Sequence, residues 1–162
     1  MDLPDSRIKN NKTALRQYLE NISAPYADSN YAPISWYYPS DVHSPHMNPQ
    51  GQISISRYYD KNSKSNTNSG EYNLLIRLRL LVSNSNEYVL DNLLSDWMGF
   101  LSNDLIYNLR VKGTEYQGKN LLKNIRLTEA QTLLRINQDS GGTGAVLIVC
   151  NLSEFIHNRF NI

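Results

Sequence analysis

The sequence is poor in several residue types that point directly to a function. Its 162 residues include a single cysteine, Cys150, which cannot form an intrachain disulfide and lies in an apolar run where thiols are usually buried. Lysine and arginine (16) nearly balance aspartate and glutamate (15), so the net charge of +1 offers no global electrostatic basis for binding nucleic acid or a membrane. The longest apolar run, Ala145–Cys150, is too short to cross a bilayer, and with no signal peptide recognisable we expect synthesis inside a cell.

Motifs for catalysis and for metal binding are also missing. The segment Gly141–Gly144 would suit a phosphate only between a strand and a helix, but a strand is expected after it, so a hairpin turn is favoured. Asp41, His43 and His46 could form a small metal cluster, yet Pro45 interrupts them and no cysteine or second carboxylate is nearby. The sequence has no G-x-S-x-G elbow and no carboxylate–lysine pattern of a metal-dependent nuclease. We therefore expect no enzyme, no cofactor and no metal.

A strict alternation over Glu71–Ser83 is the strongest pattern that is present. Its even positions, from Tyr72 to Val82, are all apolar, whereas the odd positions include Arg77 and Arg79. A period of two over thirteen residues predicts a strand with one buried and one partly polar face. Both arginines are then expected on the same side of a sheet.

Two amphipathic helices are predicted beside this strand. The first occupies residues 1–24 and is expected to end near Ser23. The second begins with the capping pair Asn84 and Glu87 and is expected to end at Ser102–Asn103. Its broad apolar stripe predicts that it covers the apolar face of the central strand.

The first half of the chain adds an extended arm and a hairpin. Five prolines among tyrosines and a tryptophan exclude a regular helix from residues 25–51, where Ile34–Tyr38 is expected to form a short edge strand. Gln52–Tyr59 alternates and predicts a strand. Residues 60–70 contain no apolar side chain and are expected to form a mobile loop that joins this strand to the central one.

A second hairpin is predicted towards the C-terminus. Leu105–Val111 alternates weakly and precedes a glycine-punctuated turn over Lys112–Asn120. Leu121–Asn137 predicts a long strand in which the apolar residues change from odd to even positions. A bulge of one residue near Glu129–Thr132 would explain this change. Ala145–Leu152 is apolar at both odd and even positions, so this strand is expected to be central in the sheet and covered on both faces. The fold class is thus α+β, a mostly antiparallel sheet of two hairpins packed by a central and an N-terminal helix in one domain (1–162), with an apolar tail over 153–162.

The order of these elements resembles that of phage tail terminator (tail completion) proteins and of tube-capping proteins of contractile tails. The resemblance is one of pattern and covers most of residues 7–152. The matching stretches are RIKNNKTALRQYLENIS, QISISRYYDKN with GEYNLLIRLRLLVS, NEYVLDNLLSDWMGFLSN, and IRLTEAQTLLRIN with GAVLIVCNL.

The resemblance implies a homohexameric ring in the virion that caps the tail tube and joins it to the neck or head connector. Its partners would be the tail tube protein, a connector protein and the sheath, with DNA only as the passing genome and no membrane. Two alternatives stay open: another neck or baseplate subunit, and, from a different class, a small nucleic-acid-processing enzyme. Candidate subunit-interface or channel residues are Arg77, Arg79, Tyr37, Tyr38, Phe155 and Phe160.

Arg77 and Arg79 are expected either to line a ring channel or to cross a subunit boundary. A positive band in the channel would hold DNA that has to slide, so the boundary is favoured. There, each guanidinium would pair with a carboxylate of the neighbouring subunit, such as Glu71 or Glu129.

Overall fold

A five-stranded mixed sheet is the centre of the computed structural model, which describes residues 4–23, 35–39, 50–59, 69–137 and 141–157. The sheet has the order β1-β2-β3-β7-β6; β1 and β2 are parallel and the other pairs antiparallel. A two-stranded sheet, β4-β5, accompanies it, and the predicted α+β class is confirmed. In chain order the elements are α1 (Pro4–Ser23), β1 (Ser35–Tyr37), β2 (Gln50–Tyr59), β3 (Ser69–Asn84), α2 (Glu87–Leu101), a π-helical stretch (Ser102–Asn108), α3 (Leu109–Lys112), β4 (Thr114–Tyr116), β5 (Lys119–Leu121), β6 (Arg126–Asn137) and β7 (Gly141–His157).

The central strand β3 shows the alternation that its sequence predicts. Leu74, Ile76, Leu78 and Leu80 are each at most 2% exposed, whereas the arginines between them are exposed. β3 pairs along its whole length with β7 and along much of it with β2. The buried core therefore lies on one side of the sheet.

The helices cover that buried side. Helix α2 contributes Leu90, Leu94 and Trp97, each at most 1% exposed, and packs against β3, β7 and β6. A Cβ atom added to Gly144 on β7 would overlap the Leu94 side chain, so this glycine lets the helix approach the sheet closely. The predicted packing of α2 over the apolar face of β3 is confirmed.

Helix α1 covers the β1 end of the same core. Leu15 and Leu19 are fully buried, together with Trp36 of the edge strand β1. Gly51, the register partner of Trp36 on β2, leaves room for the indole, since an added Cβ atom would overlap its ring. None of the described helices is both long enough and apolar enough to cross a membrane.

No helix of the described ranges covers the other side of the sheet, which corrects the prediction for β7. Val146, Ile148 and Cys150 are buried, but Leu147 and Val149, which point the other way, are only half-buried. Among the described residues, the cleft above them is lined by strand residues and by Tyr37–Pro39, without any helix. Cover on both faces is therefore wrong for this part of the chain.

The helical region is longer than predicted. It does not end at Ser102–Asn103 but continues through the π-helical stretch and α3 to Gly113, whose φ of 65° ends it. No glycine or proline interrupts residues 102–112, so nothing local stops the helix. The weak alternation over Leu105–Val111 accordingly belongs to helical turns, with Leu109 buried and Tyr107 exposed.

The predicted capping pair of α2 is displaced by two residues. The N-cap is Asn86, whose Oδ1 accepts hydrogen bonds from the backbone N–H groups of Tyr88 (3.0 Å) and Val89 (3.4 Å). Asn84 cannot begin the helix because it is the last residue of β3. Its Oδ1 instead accepts a hydrogen bond from the Asn86 N–H, at 2.8 Å.

The second half of the chain also differs in detail from the prediction. A hairpin of β4 and β5 replaces the expected simple turn, and its two turn residues, Gln117 and Gly118, have φ of 50° and 76°. β6 begins at Arg126 because Leu122 and Asn124 have positive φ values, which interrupt an extended chain. The predicted bulge exists, but it lies between Leu127 and Glu129 rather than further along.

Candidate assembly surface

The side of the sheet opposite the helices carries two rows of polar and apolar side chains, which we call the open face. One row crosses the strands in the order Ser54, Arg77, Val149 and Glu129. The next row crosses them as Gln52, Arg79, Leu147 and Gln131. The register alone brings these eight residues from four strands together, because paired residues of neighbouring strands point to the same face.

A cleft of about 520 Å³ lies over these rows. Its floor contains Leu147 and Val149, which are half-buried, and Arg77 and Arg79 contribute to its lining. The segment from Tyr37 to Pro39 borders it at the β1 edge. The cleft thus combines an apolar floor with two guanidinium groups.

The two arginines lie close together and are exposed. Because they are two residues apart on one strand, their Cα atoms are about 6.8 Å apart. Glu129 is on the same face, but two strands away from Arg77, which is about 10 Å. Within the described residues no ion pair joins Arg77, Arg79 or Glu129 to another side chain, so their charges are available to a partner. The predicted placement of both arginines on one side of the sheet is confirmed.

Tyr37 and Tyr38, both predicted as interface candidates, have different surroundings. Tyr37 is half-buried and pairs in register with Gln52, in the row of the open face that contains Arg79. Tyr38 is only 8% exposed; its hydroxyl donates a hydrogen bond to the Lys12 carbonyl at 2.7 Å, and the Arg16 guanidinium lies 4.9 Å from its ring centre. Burial raises the Tyr38 pKa, and Arg16 opposes part of that rise. Tyr38 therefore fixes α1 to the sheet, which does not support a role for it in subunit contact.

The two candidate phenylalanines are less informative. Residues 153–157, predicted to be part of the C-terminal tail, instead belong to β7, where Phe155 is the register partner of Glu71. Phe160 lies outside the described residues, as do the histidine-containing segment Asp41–His46 and residues 60–68 of the predicted loop. The last two residues predicted for that loop, Ser69 and Gly70, instead begin β3. The site is accordingly built on Arg77, Arg79 and Tyr37.

Neither Cys150 nor the glycine-rich segment Gly141–Gly144 lines the cleft of the open face. Burial raises the pKa of the Cys150 thiol to about 12, so the thiolate needed for nucleophilic attack is not formed near neutral pH. Among the described residues no group of three or more His, Cys, Asp or Glu side chains could hold a metal ion. Gly141–Gly144, predicted to be a hairpin turn, instead forms the beginning of β7, and its residues 142–144 pair with the end of β3.

One surface was missed at the level of sequence. Helix α2 carries Glu87, Asp91 and Asp96, all exposed, and no lysine or arginine. Tyr88, in its first turn, is 79% exposed. The signal in the sequence is the pair Glu87 and Asp91, which are four residues apart on a predicted helix. The structure shows that all four of these side chains are exposed.

Comparison with known proteins gives no family for the chain. No protein-family description matches the sequence, and no curated protein is significantly similar to it. Its function therefore has to be inferred from the surfaces described above.

Proposed function

We propose that this chain is a structural virion protein, a phage tail terminator whose copies form a ring that caps the tail tube and joins it to the neck. The observation that carries the proposal is the open face. A charged and partly apolar sheet face over a cleft of about 520 Å³ is suited to burial against another protein. Arg77 and Arg79 would then form the hydrogen-bonded ion pairs that fix the register of a subunit contact.

The order of elements supports the same proposal. An N-terminal helix, a short edge strand, a first hairpin (β2–β3), a central helix and a closing hairpin (β6–β7) occur in this order, with the helical extension and the small β4–β5 hairpin between the last two. This is the order on which the resemblance to tail terminators depends. In this role the partners are the tail tube protein, the head connector and neighbouring copies of the chain, and DNA only passes through.

The mass of the particle in solution tests the proposal. Light scattering coupled to gel filtration is expected to give six times the chain mass of 18.6 kDa. Electron microscopy of the protein mixed with tail tubes should place these particles at one end of the tube. A protein that remains a single chain at all concentrations, and that does not bind tube ends, would contradict the proposal.

Replacing Arg77 and Arg79 by alanine tests the part played by the open face. Both side chains are exposed, so the variant should unfold at nearly the same temperature as the parent. Its particles should fall apart at lower salt or higher dilution, as followed by sedimentation. The matched control replaces two exposed lysines away from this face, Lys112 and Lys123. Intact particles whose affinity for DNA alone has changed would show that the arginines line a channel.

A further inference from the structure

The first two turns of α2 carry a compact acidic surface. Glu87 and Asp91 are four residues apart, so they lie on the same side of the helix with their Cβ atoms about 6 Å apart. Tyr88 lies beside them and is 79% exposed. Helix α2 carries no basic side chain that would neutralise the two carboxylates. We call Glu87, Tyr88 and Asp91 the acidic end of α2.

The acidic end and the open face lie on opposite sides of the sheet. Helix α2 packs on the buried side of the sheet through Leu90 and Leu94, and Glu87 and Asp91 are exposed beside this buried stripe. Arg77 and Arg79 project from the other side of the same sheet. The two surfaces are thus a pair of different, oppositely charged faces on the two sides of one subunit.

A contact between Arg77 of one subunit and Glu129 of another cannot by itself build a ring. Both residues belong to the open face, so such a contact would join the same face of two subunits. An interface of that kind has two-fold symmetry and ends with a dimer. A ring needs two different faces that meet head to tail.

We propose that the acidic end of α2 on one subunit docks into the open-face cleft of the next subunit. This inference rests on the proposed function, because it specifies how the ring would be joined. The two arginines are about 6.8 Å apart at their Cα atoms, which is close to the spacing of Glu87 and Asp91 on the helix. Each guanidinium can therefore meet one carboxylate at the same time.

The apolar floor of the cleft gives the contact its second component. Leu147 and Val149 are half-buried and would be covered by the ring of the incoming Tyr88. Tyrosine and arginine are the residue types that most often dominate protein interfaces. The same type of contact repeated from subunit to subunit closes a ring when the rotation between neighbours is suitable.

Charge reversal on each surface separately tests this proposal. The variant Arg77→Glu/Arg79→Glu should lose the assembled mass and give a single chain, and Glu87→Lys/Asp91→Lys should do the same. An equimolar mixture of the two should assemble again, because every contact then joins opposite charges. Light scattering at about 0.1 M and about 1 M salt measures this, since the Debye length falls from about 10 Å to about 3 Å.

Two further variants keep the test conclusive. Glu87 lies in the first turn of α2, where its charge also stabilises the helix, so Asp91→Lys alone is measured beside the double change. Lys112→Glu/Lys123→Glu matches the charge change of the arginine variant at exposed positions outside the open face. Thermal unfolding of every variant should match the parent to within a few degrees. The control should keep the assembled mass.

The outcomes separate this inference from the function on which it rests. If the parent chain assembles, but both the helix variant and Asp91→Lys keep the parent mass at both salt concentrations, the docking mode is wrong and the ring stands. A mixture of the two reversed variants that stays monomeric would overturn the docking mode in the same way. If the parent is itself a single chain under all conditions, the proposed function fails first.

Discussion

The close approach of α2 to the sheet at Gly144 predicts a specific coupling between two substitutions. Leu94 is 1% exposed, and its side chain occupies the space that a Cβ atom on Gly144 would need. Leu94→Ala should cost about 3–5 kcal/mol of unfolding free energy, the upper part of the usual range, because the backbone below cannot collapse into the cavity. Gly144→Ala should cost about 1–3 kcal/mol through overpacking.

The double variant should be more stable than the sum of the two losses by about 1–2 kcal/mol. The methyl group that Gly144→Ala introduces would enter the cavity that Leu94→Ala leaves. It cannot recover everything, because the Leu133 carbonyl oxygen lies 3.1 Å from the Cβ position. Urea unfolding followed by tryptophan fluorescence measures this at one fixed protein concentration. Leu93→Ala, at a half-buried position of the same helix, is the control and should be additive with Gly144→Ala; additive losses for Leu94 as well would refute the packing described here.

Three further predictions concern the rest of the core. Gly51→Ala should lower the unfolding free energy by about 1–3 kcal/mol and alter the fluorescence of Trp36, because the new methyl group would overlap the indole; an unchanged thermal midpoint would contradict it. Asn86→Ala should cost about 0.5–2 kcal/mol in urea unfolding and more than Asn84→Ala, since only Asn86 caps α2; equal losses would show that the cap is wrongly placed. Burial raises the pKa of the Cys150 thiol to about 12, so the thiol keeps its proton in the folded state. In the unfolded chain the thiol loses its proton near the ordinary pKa of about 8.5. The folded protein should therefore lose stability as the pH rises from about 8.5 to about 12. Cys150→Ala should make this alkaline decline less steep, and a native protein that reacts quickly with a thiol reagent at pH 8 would be inconsistent with the burial.

The parts of the fold that depend on a local pattern could be predicted from the sequence. β3 was predictable because a single period of two specifies which side chains face the core, and its flanking strand β2 followed for the same reason. The end of α2 was not predictable, since no residue before Gly113 has a conformation that stops a helix. The position of the β6 bulge depends on pairing with β7, which is a non-local property.

The candidate site was predictable only in part, for related reasons. Arg77 and Arg79 share a face because they are two residues apart, and this was evident from the sequence. Tyr38 is buried against α1, whereas Tyr37 is only half-buried on the open face. This difference depends on where α1 packs, which no local sequence pattern indicates. The open side of β7 was missed because Leu147 and Val149 are apolar, and composition does not distinguish a face covered by the same chain from one available to a partner.

The length of the β3–β7 ladder has a mechanical consequence. All 16 residues of β3 are paired with β7, from Ser69 opposite His157 to Asn84 opposite Gly142. Antiparallel hydrogen bonds lie perpendicular to the strands, so a force along the strands would load the whole ladder in shear, with its bonds sharing the tension. A force that separates the strands at the Ser69 end would instead break the bonds one after another. The subunit should therefore resist pulling along its sheet far better than peeling across it.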